Sequence, residues 1–484
     1  MDNSKENIAS NTLWKMAERI TAQGVSFLVS LILARLLLPE DYGLVALVNI
    51  FITLATVIVT FGINTALIQN KEADDIDFST AFFLNIVLGA GLYFVLFMLA
   101  PYVARLYEND TLTLLIRVLS LTIPIYSINS IQQAYISKRM EFKKFFTSTI
   151  IGTIISAIVG IVMAYEGYGV WALVAQTLIS NVLGMLILFL TTQWRPRLVF
   201  STQRAKGIAK YGTAILGAQM INRLYSELKG LIIGKVYTSA DLSYYNKGKQ
   251  IPMLIETNFD LSIASVIFTS FAYEQDNKNK FLMLYKKAIR VSTFITFPML
   301  LGIFAVADNL IYVLYSEKWM GCVEFLRIMC VSFLFYGIDS TSVLAMRALG
   351  NAKEGIWIEM IHKMLMLGII IGSLKINIYA LVATEIVANL LHVTLVLCIL
   401  KKSIGYGMKD MFVDCLKNFL SASFMAVVVI LCDTLIDNQL LCLITQVLIG
   451  AGIYFGLAVL LKNDAYRTML ELVENKFLAR RSET

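Results

Sequence analysis

The residues able to hold a charged ligand gather in a few segments, and they recur at helical spacing. Between 211 and 236, Gln219, Asn222, Arg223, Ser226, Glu227, Lys229 and Gly230 fall within about 160° of arc at about 100° per residue. Ile221, Leu224, Leu228, Leu231 and Ile232 take the other side. Glu18, Arg19, Gln23, Ser26 and Ser30 line one side of the first apolar segment. Asn246, Lys249, Gln250, Glu256, Thr257 and Asp260 share an arc between 244 and 272, with Lys247 beside them and Pro252 available as a kink. Asn49, Thr53, Thr56, Thr60 and Asn64 repeat at helical spacing between 43 and 67. Stripes of this kind predict a polar cavity whose basic residues hold an anion.

What surrounds the stripes makes them informative. The chain has 484 residues, of which 58% are hydrophobic and 15% charged, and its mean hydropathy is +0.71. Soluble globular chains run near 25% charged, so a water-soluble enzyme is excluded and a polytopic helical membrane protein is the class that fits. In the hydrocarbon core a charge costs roughly 2.5 to 3.5 kcal/mol on insertion scales, so it must face protein or water.

Each charge also has a plainer reading. Arg223 and Glu227, like Glu359 and Lys363, stand four apart and can neutralise each other in a helix interface. Arg19 is near enough to one surface to snorkel, Lys247 and Lys249 can reach headgroups, and Arg35 and Lys235 read as anchors at helix ends. His362 and His392 both fall inside apolar segments, and His392 shares a stripe with Glu385 and Asn389. That stripe reads first as a hydrogen-bonded structural pair and second as a proton relay. The 6 cysteines form no C-x-x-C pair and read as small core residues, so neither metal nor cofactor is expected.

Apolar runs predict helices at 14-37, 43-67, 79-100, 112-136, 147-165, 170-192, 211-236, 244-272, 286-307, 322-347, 356-374, 378-400, 416-433 and 440-461. That is about 14 spans. The first is read as a span and not as a removable signal. Lys138, Arg139, Lys143 and Lys144, then Arg195, Arg197 and Arg204, then Lys278, Lys280, Lys286 and Lys287 sit in alternate loops. The positive-inside rule therefore puts both termini in the cytoplasm, and the net charge of +7 is mainly a topology signal, with no nucleic-acid partner implied. The opposite loops are short, the longest running from about Asp308 to Gly321, which leaves no room for a catalytic site at the outer face.

The chain also repeats itself. Ala34-Arg35 precedes Asp41 as Gly234-Lys235 precedes Asp241, and YSINS at 126–130 returns as YGIDS at 336–340. A weaker echo links LAPYVARLY, closing at Tyr107, with VADNLIYVLY, closing at Tyr315. These offsets predict two pseudo-symmetric six-helix lobes, 1–200 and 201–402, an appendage of two helices at 403–461, and a basic amphipathic tail at 462–484 lying on the membrane surface. A duplicated six-helix unit is a transporter architecture.

LARLLLPEDYGLVAL at 33–47 and FGINTALIQ at 61–69 resemble the polysaccharide transporter family of the multidrug/oligosaccharidyl-lipid/polysaccharide exporter superfamily. RMEFKKF at 139–145, GVWALV at 169–174, WRPRLVFS at 194–201, IGKVYTSADLSYYNKGKQIP at 233–252 and YSEKW at 315–319 agree in order. The resemblance implies a flippase carrying undecaprenyl-diphosphate-linked oligosaccharide repeat units from the inner to the outer leaflet of the bacterial cytoplasmic membrane by alternating access. It also implies the bilayer and a polysaccharide polymerase machinery as partners. Basic residues on the first, seventh and eighth helices are then the diphosphate ligands, here Arg19, Arg223, Lys229, Lys247 and Lys249. Glu18, Gln23, Asn49, Asn64, Asn222, Glu227 and Glu385 are the remaining cavity residues, with Glu18, Glu227 and Glu385 as carriers of any ion coupling. Two rival readings stay open: a drug/cation antiporter of the same superfamily, which should favour acidic groups, and a membrane polymerase or ligase, which the short outer loops oppose.

Overall fold

The computed structural model describes residues 23–70, 72–259 and 265–467, together with Thr21 and Met469. Glu18, Arg19, Asp260 and most of the tail expected at 462–484 lie outside the described residues. Regular structure among the described residues is helical throughout.

Two compact units divide the chain, the first ending at Ser243 and the second starting at Tyr244. The first holds α1 (Gln23–Leu36), α2 (Pro39–Gln69), α3 (Asp75–Leu106), α4 (Thr111–Leu119), α5 (Thr122–Arg139), α6 (Phe142–Tyr165), α7 (Val170–Thr191) and α8 (Thr202–Val236). Helix α9 (Ser239–Phe259) begins in the first unit and runs into the second. The second continues with α10 (Ser265–Tyr273), α11 (Lys278–Ala305), α12 (Ala307–Tyr315), a 3-10 turn over Glu317–Cys322, α13 (Val323–Phe333), α14 (Tyr336–Ala348), α15 (Ala352–Ser373), α16 (Ile378–Ile404), α17 (Met408–Cys432) and α18 (Gln439–Leu460).

Eleven spans among the described residues are long and apolar enough to cross a membrane, which makes this a multi-pass membrane protein. Eleven is fewer than the fourteen expected, and the shortfall falls on the striped segments. Helices α8 and α9 carry too many ionisable and amide groups to pass as apolar, and only 14 residues of the first segment are described as apolar helix. The polar stripes expected on α8 and α9 remove them from a purely apolar tally.

The first repeated motif proves to be a helix-capping device. Asp41, in the first turn of α2, accepts from the Leu38 backbone N–H (3.3 Å), while Asp241, in the first turn of α9, accepts from the Thr238 backbone N–H (3.1 Å) and hydroxyl (2.7 Å). Both carboxylates satisfy donors that the first helical turn leaves unpaired and sit at the positive end of the helix dipole. The second motif marks a break. Helices α4 and α5 part at Ser120 and Leu121, with four residues intervening before YSINS, and α13 and α14 part at Leu334 and Phe335, immediately before YGIDS. At each break the chain tightens to i→i−3 bonding, Leu121 to Val118 (3.2 Å) and Leu334 to Val331 (3.3 Å). In the first copy Pro124 lies in the opening turn of α5, where its missing N–H is tolerated.

Within the first unit, α2 packs on α8, α6 on α7, and α3 on α5. Ile63, Leu67, Phe78, Phe82, Ile131 and Tyr135 form a core closed by Trp194, whose ring stacks on Tyr135 at 5.7 Å. The buried Asn85 amide donates to the Ser130 hydroxyl at 2.8 Å, tying α3 to the repeated YSINS motif. In the second unit α11 packs on α17, and α16 lies against α13, α14 and α15. Tyr285 is fully buried there, hydrogen-bonded to Ser342 at 2.6 Å and edge-on to Tyr406 at 4.8 Å. Gly405 ends α16 with φ +81°, a conformation suited to a residue without Cβ.

Candidate functional site

Helices α2 and α8 come closest where glycine replaces bulk. A methyl group at Gly230 would stand 2.9 Å from the Ile50 side chain, and one at Gly234 would stand 3.0 Å from Leu47. Away from this contact, Thr53, Thr56, Val57 and Thr60 of α2 face Gln219, Asn222, Arg223 and Ser226 of α8 across a groove of about 420 Å³. The spacing 53, 56, 60 against 219, 222, 223, 226 keeps both rows on facing sides for two turns. The α2 hydroxyls donate along their own helix, Thr56 to the Thr53 carbonyl (2.9 Å) and Thr60 to the Thr56 carbonyl (2.8 Å), so their acceptor lone pairs are what the groove receives. Ser226 likewise donates to the Arg223 carbonyl at 2.8 Å.

Arg223 is the cation of this groove. Its Nη2 lies 2.9 Å from Glu227 Oε1, and its side chain is 45% exposed. An ion pair that open to water has a small net strength, about 0.3 to 0.5 kcal/mol for an i,i+4 pair, so the guanidinium keeps most of its capacity for a second anion. Lys229 continues the same row as Asn222 and Ser226 but is buried, at 6% exposure. Asn49 and Gln23 are exposed, and Asn64 is half-buried next to Ile63 of the Trp194 core. Of the residues expected at the site, the structure thus brings Asn222 and Arg223 together with the threonine row, and Glu227 pairs with Arg223.

The two lysines of α9 have different surroundings. Lys247 is 7% exposed, with its ammonium 5.1 Å from the Tyr315 ring centroid and 5.7 Å from that of Trp319. Those rings are fully buried and give the cation a π face on each. Nothing in the sequence around Lys247 signals this arrangement, since the rings come from α12 and the turn that follows it. Lys249 is half-buried beside the Tyr245 ring (5.9 Å) and within electrostatic reach of Glu385 and Glu256, so Lys249 and the expected cavity residue Glu385 share one cluster.

Charges at the loops act as anchors. Lys235 reaches Glu108 at 2.9 Å, and the hydrogen bond and charge of that ammonium hold the Glu108 carboxyl below the usual glutamate range. Asp74 caps α3 by accepting from the Ile76 and Asp77 N–H groups, each at 3.0 Å, and Arg204 bridges it to Asp77. The Asp77 N–H first, and Arg204 after it, keep the Asp74 carboxyl below the ordinary aspartate value. Among the described residues no group of three or more His, Cys, Asp and Glu side chains is arranged so that it could hold a metal ion.

The fold resembles that of known transporters. A lipid II flippase MurJ in an inward closed conformation superposes with a TM-score of 0.75 at 17% identity, covering 95% of this chain and 100% of that one. An inward-facing multidrug resistance MATE family transporter of the MOP superfamily gives 0.60 at 15% identity, covering 85% of this chain and 98% of the other. In sequence, the chain is 23% identical to the succinoglycan biosynthesis transport protein ExoT of Rhizobium meliloti (strain 1021), over 96% of both chains. It is 25% identical to the lipopolysaccharide biosynthesis protein WzxC of Escherichia coli (strain K12), over 69% of both. The teichuronic acid biosynthesis protein TuaB of Bacillus subtilis (strain 168) is 24% identical over 57% of this chain and 58% of its own. These relatives and structural neighbours are named as transport, flippase or biosynthesis proteins. Residues 32–324 match the family model described as polysaccharide biosynthesis protein, so this chain, with the fold of the multidrug/oligosaccharidyl-lipid/polysaccharide exporter superfamily, belongs to that family.

Proposed function

We propose that this protein is a flippase that moves an undecaprenyl-diphosphate-linked oligosaccharide repeat unit from the cytoplasmic to the outer leaflet of the bacterial cytoplasmic membrane. The glycan feeds exopolysaccharide, capsule or O-antigen assembly, where a polymerase takes it over. Transport runs by alternating access through about 14 spans. The lobes are 1–200 and 201–402, the appendage 403–461 and the tail 462–484, with both termini cytoplasmic, as the distribution of lysine and arginine in the loops favours.

The α2/α8 groove carries this reading. It puts a partly exposed guanidinium beside amides and hydroxyl acceptors, a combination suited to a diphosphate and its first sugar. Arg19, Lys229, Lys247 and Lys249 are proposed as further diphosphate ligands along the path, and Gln23, Asn49, Asn64, Asn222 and Glu227 as its polar lining. One cation about 5 Å from one phosphate charge contributes on the order of 3 kcal/mol at an effective dielectric near 20, so two or three contacts suffice for reversible capture. Outward movement of a dianion is downhill by roughly 2.3 kcal/mol per charge per 100 mV when the inside is negative.

Leaflet-resolved detection of lipid-linked oligosaccharide in cells depleted of this protein tests the proposal. Accumulation on the inner face, reversed by the intact chain but not by Arg223→Ala or Lys229→Ala, is expected. A normal leaflet distribution accompanied by altered drug resistance would replace the flippase reading with an antiporter.

A further inference from the structure

Where α14, α15 and α16 meet in the second unit, five ionisable side chains form an array that the groove chemistry does not use. His392 of α16 places Nδ1 2.7 Å from Asp339 Oδ1 of α14 and Nε2 3.7 Å from Glu359 Oε2 of α15. Glu359 Oε1 is in turn 2.8 Å from Lys363 Nζ. The His362 ring lies 5.1 Å from the His392 ring, and its Nε2 is 3.1 Å from the Ala388 carbonyl. Asp339 belongs to the YGIDS motif, and the array lies beyond the 32–324 stretch that matches the family model.

The protonation states follow from donor and acceptor rules. A carbonyl only accepts, so His362 Nε2 carries a hydrogen and donates it to Ala388. His392 has a carboxylate at each nitrogen, but a neutral imidazole has a single N–H. Neutral His392 satisfies Asp339 with its single N–H; only the imidazolium also carries the charge that the Glu359 carboxylate, 3.7 Å away, can pair with. With His392 neutral, Asp339, Glu359 and Lys363 leave the array with one excess negative charge, and a single proton cancels it. A second proton, on His362, would set two cations side by side.

The groups facing His392 can be named element by element. Asp339 comes from α14, and Glu359, Lys363 and His362 from α15. On the other helices packed against α16, the Ser332 hydroxyl of α13 accepts from Asn389 at 2.9 Å and Tyr285 of α11 is bonded to Ser342, so each is engaged elsewhere. Glu385, two turns away on α16, is the acidic residue of the Lys249 cluster. The repeat provides an internal contrast, for the position in YSINS that matches Asp339 is Asn129, an amide that cannot ionise.

We propose that Asp339, His392 and Glu359 form a binding site for a single exchangeable proton, carried on His392. When it is bound, His392 donates from Nδ1 to Asp339 while its charge forms an ion pair with Glu359 at 3.7 Å, tying α16 to α14 and α15 together. Upon its departure, the bare nitrogen faces the Glu359 carboxylate and the tie to α15 is lost. Proton occupancy therefore sets how these three helices pack, and in a flippase that dependence couples transport to a proton gradient. The coupling rests on the flippase reading; the proton site does not.

With two histidines in the chain, 15N-histidine labelling of the full protein in lipid nanodiscs yields two imidazoles to follow by NMR. One of them, absent in His392→Gln, is expected to exchange a proton as the pH is varied, while the other keeps one state. Asp339→Asn moves the midpoint of that exchange to lower pH by about one unit or more, and Glu359→Gln moves it less, because Glu359 is shared with Lys363. An unchanged midpoint in both variants overturns the site. So does a wild-type His392 that keeps one state across the range, a result needing no variant to fold. In proteoliposomes carrying undecaprenyl-diphosphate-linked glycan, flux that responds to an imposed pH gradient in the wild type but not in Asp339→Asn supports the coupling. Flux indifferent to the gradient removes the coupling and leaves the site, whereas no wild-type flux at all removes the flippase reading and leaves the titration untouched.

Discussion

Replacing Arg223 by glutamine separates an anion-binding guanidinium from one that only neutralises Glu227. The pair is 2.9 Å apart, and the arginine side chain is 45% exposed. If Arg223 faces a phosphate at about 5 Å, the interaction is worth on the order of 3 kcal/mol at an effective dielectric of 20, before solvent screening. Exposure reduces that to about 1.4 kcal/mol, so Arg223→Gln should weaken binding of undecaprenyl diphosphate about tenfold. Glu227→Gln acts the other way. It releases the guanidinium from an ion pair worth about 0.3 to 0.5 kcal/mol and should tighten binding about twofold. The double variant should then resemble Arg223→Gln alone. Titration of the lipid into full-length protein in nanodiscs, read by native mass spectrometry, measures all four affinities, and raising the salt should shrink the differences at this wet site. Equal losses in both single variants, with no further loss in the double, would mean that the two side chains act only as a structural pair.

Other outcomes follow from packing and capping. Gly43→Val drives a side chain into the backbone carbonyl of Ser239, which cannot swing away, so it should lower thermal stability by about 1 to 3 kcal/mol or abolish folded yield; size-exclusion profiles against Gly24→Val, at an open position, check this. Asn85→Ala removes a buried interhelical hydrogen bond to Ser130 and should cost about 0.6 kcal/mol, and no more than about 1.7, in unfolding by denaturing detergent. The Lys235–Glu108 bridge should weaken in acid. Because the carboxyl is held below its free value, its contribution is complete above about pH 4.5 and is lost as the pH falls through the lower folded value. Protection of the amides at 105–110, corrected for the intrinsic pH dependence of exchange, should therefore fall below about pH 4 in the wild type and show no such step in Glu108→Gln.

The amino-acid sequence by itself determined the class of this protein and the positions of the eleven apolar spans found among the described residues. An apolar run of about 20 residues has no other stable use, and a charge placed within one must be accommodated by protein or water. The α8 stripe was legible for the same reason, because one helix sets the angular order of its own side chains. Asp41 and Asp241 were visible as a repeat, although their role in capping emerged only from the backbone donors they meet. Tertiary structure alone decided which stripes touch. Gly230 and Gly234 bring α8 against α2 so that Arg223 faces the threonine row, and chain folding closes Tyr315 and Trp319 over Lys247. It also sets His392 between carboxylates from two other helices, where the sequence offered only a stripe with Glu385 and Asn389. Periodicity reports the faces of one helix, whereas a site built by several helices depends on their packing, which is a property of the folded chain.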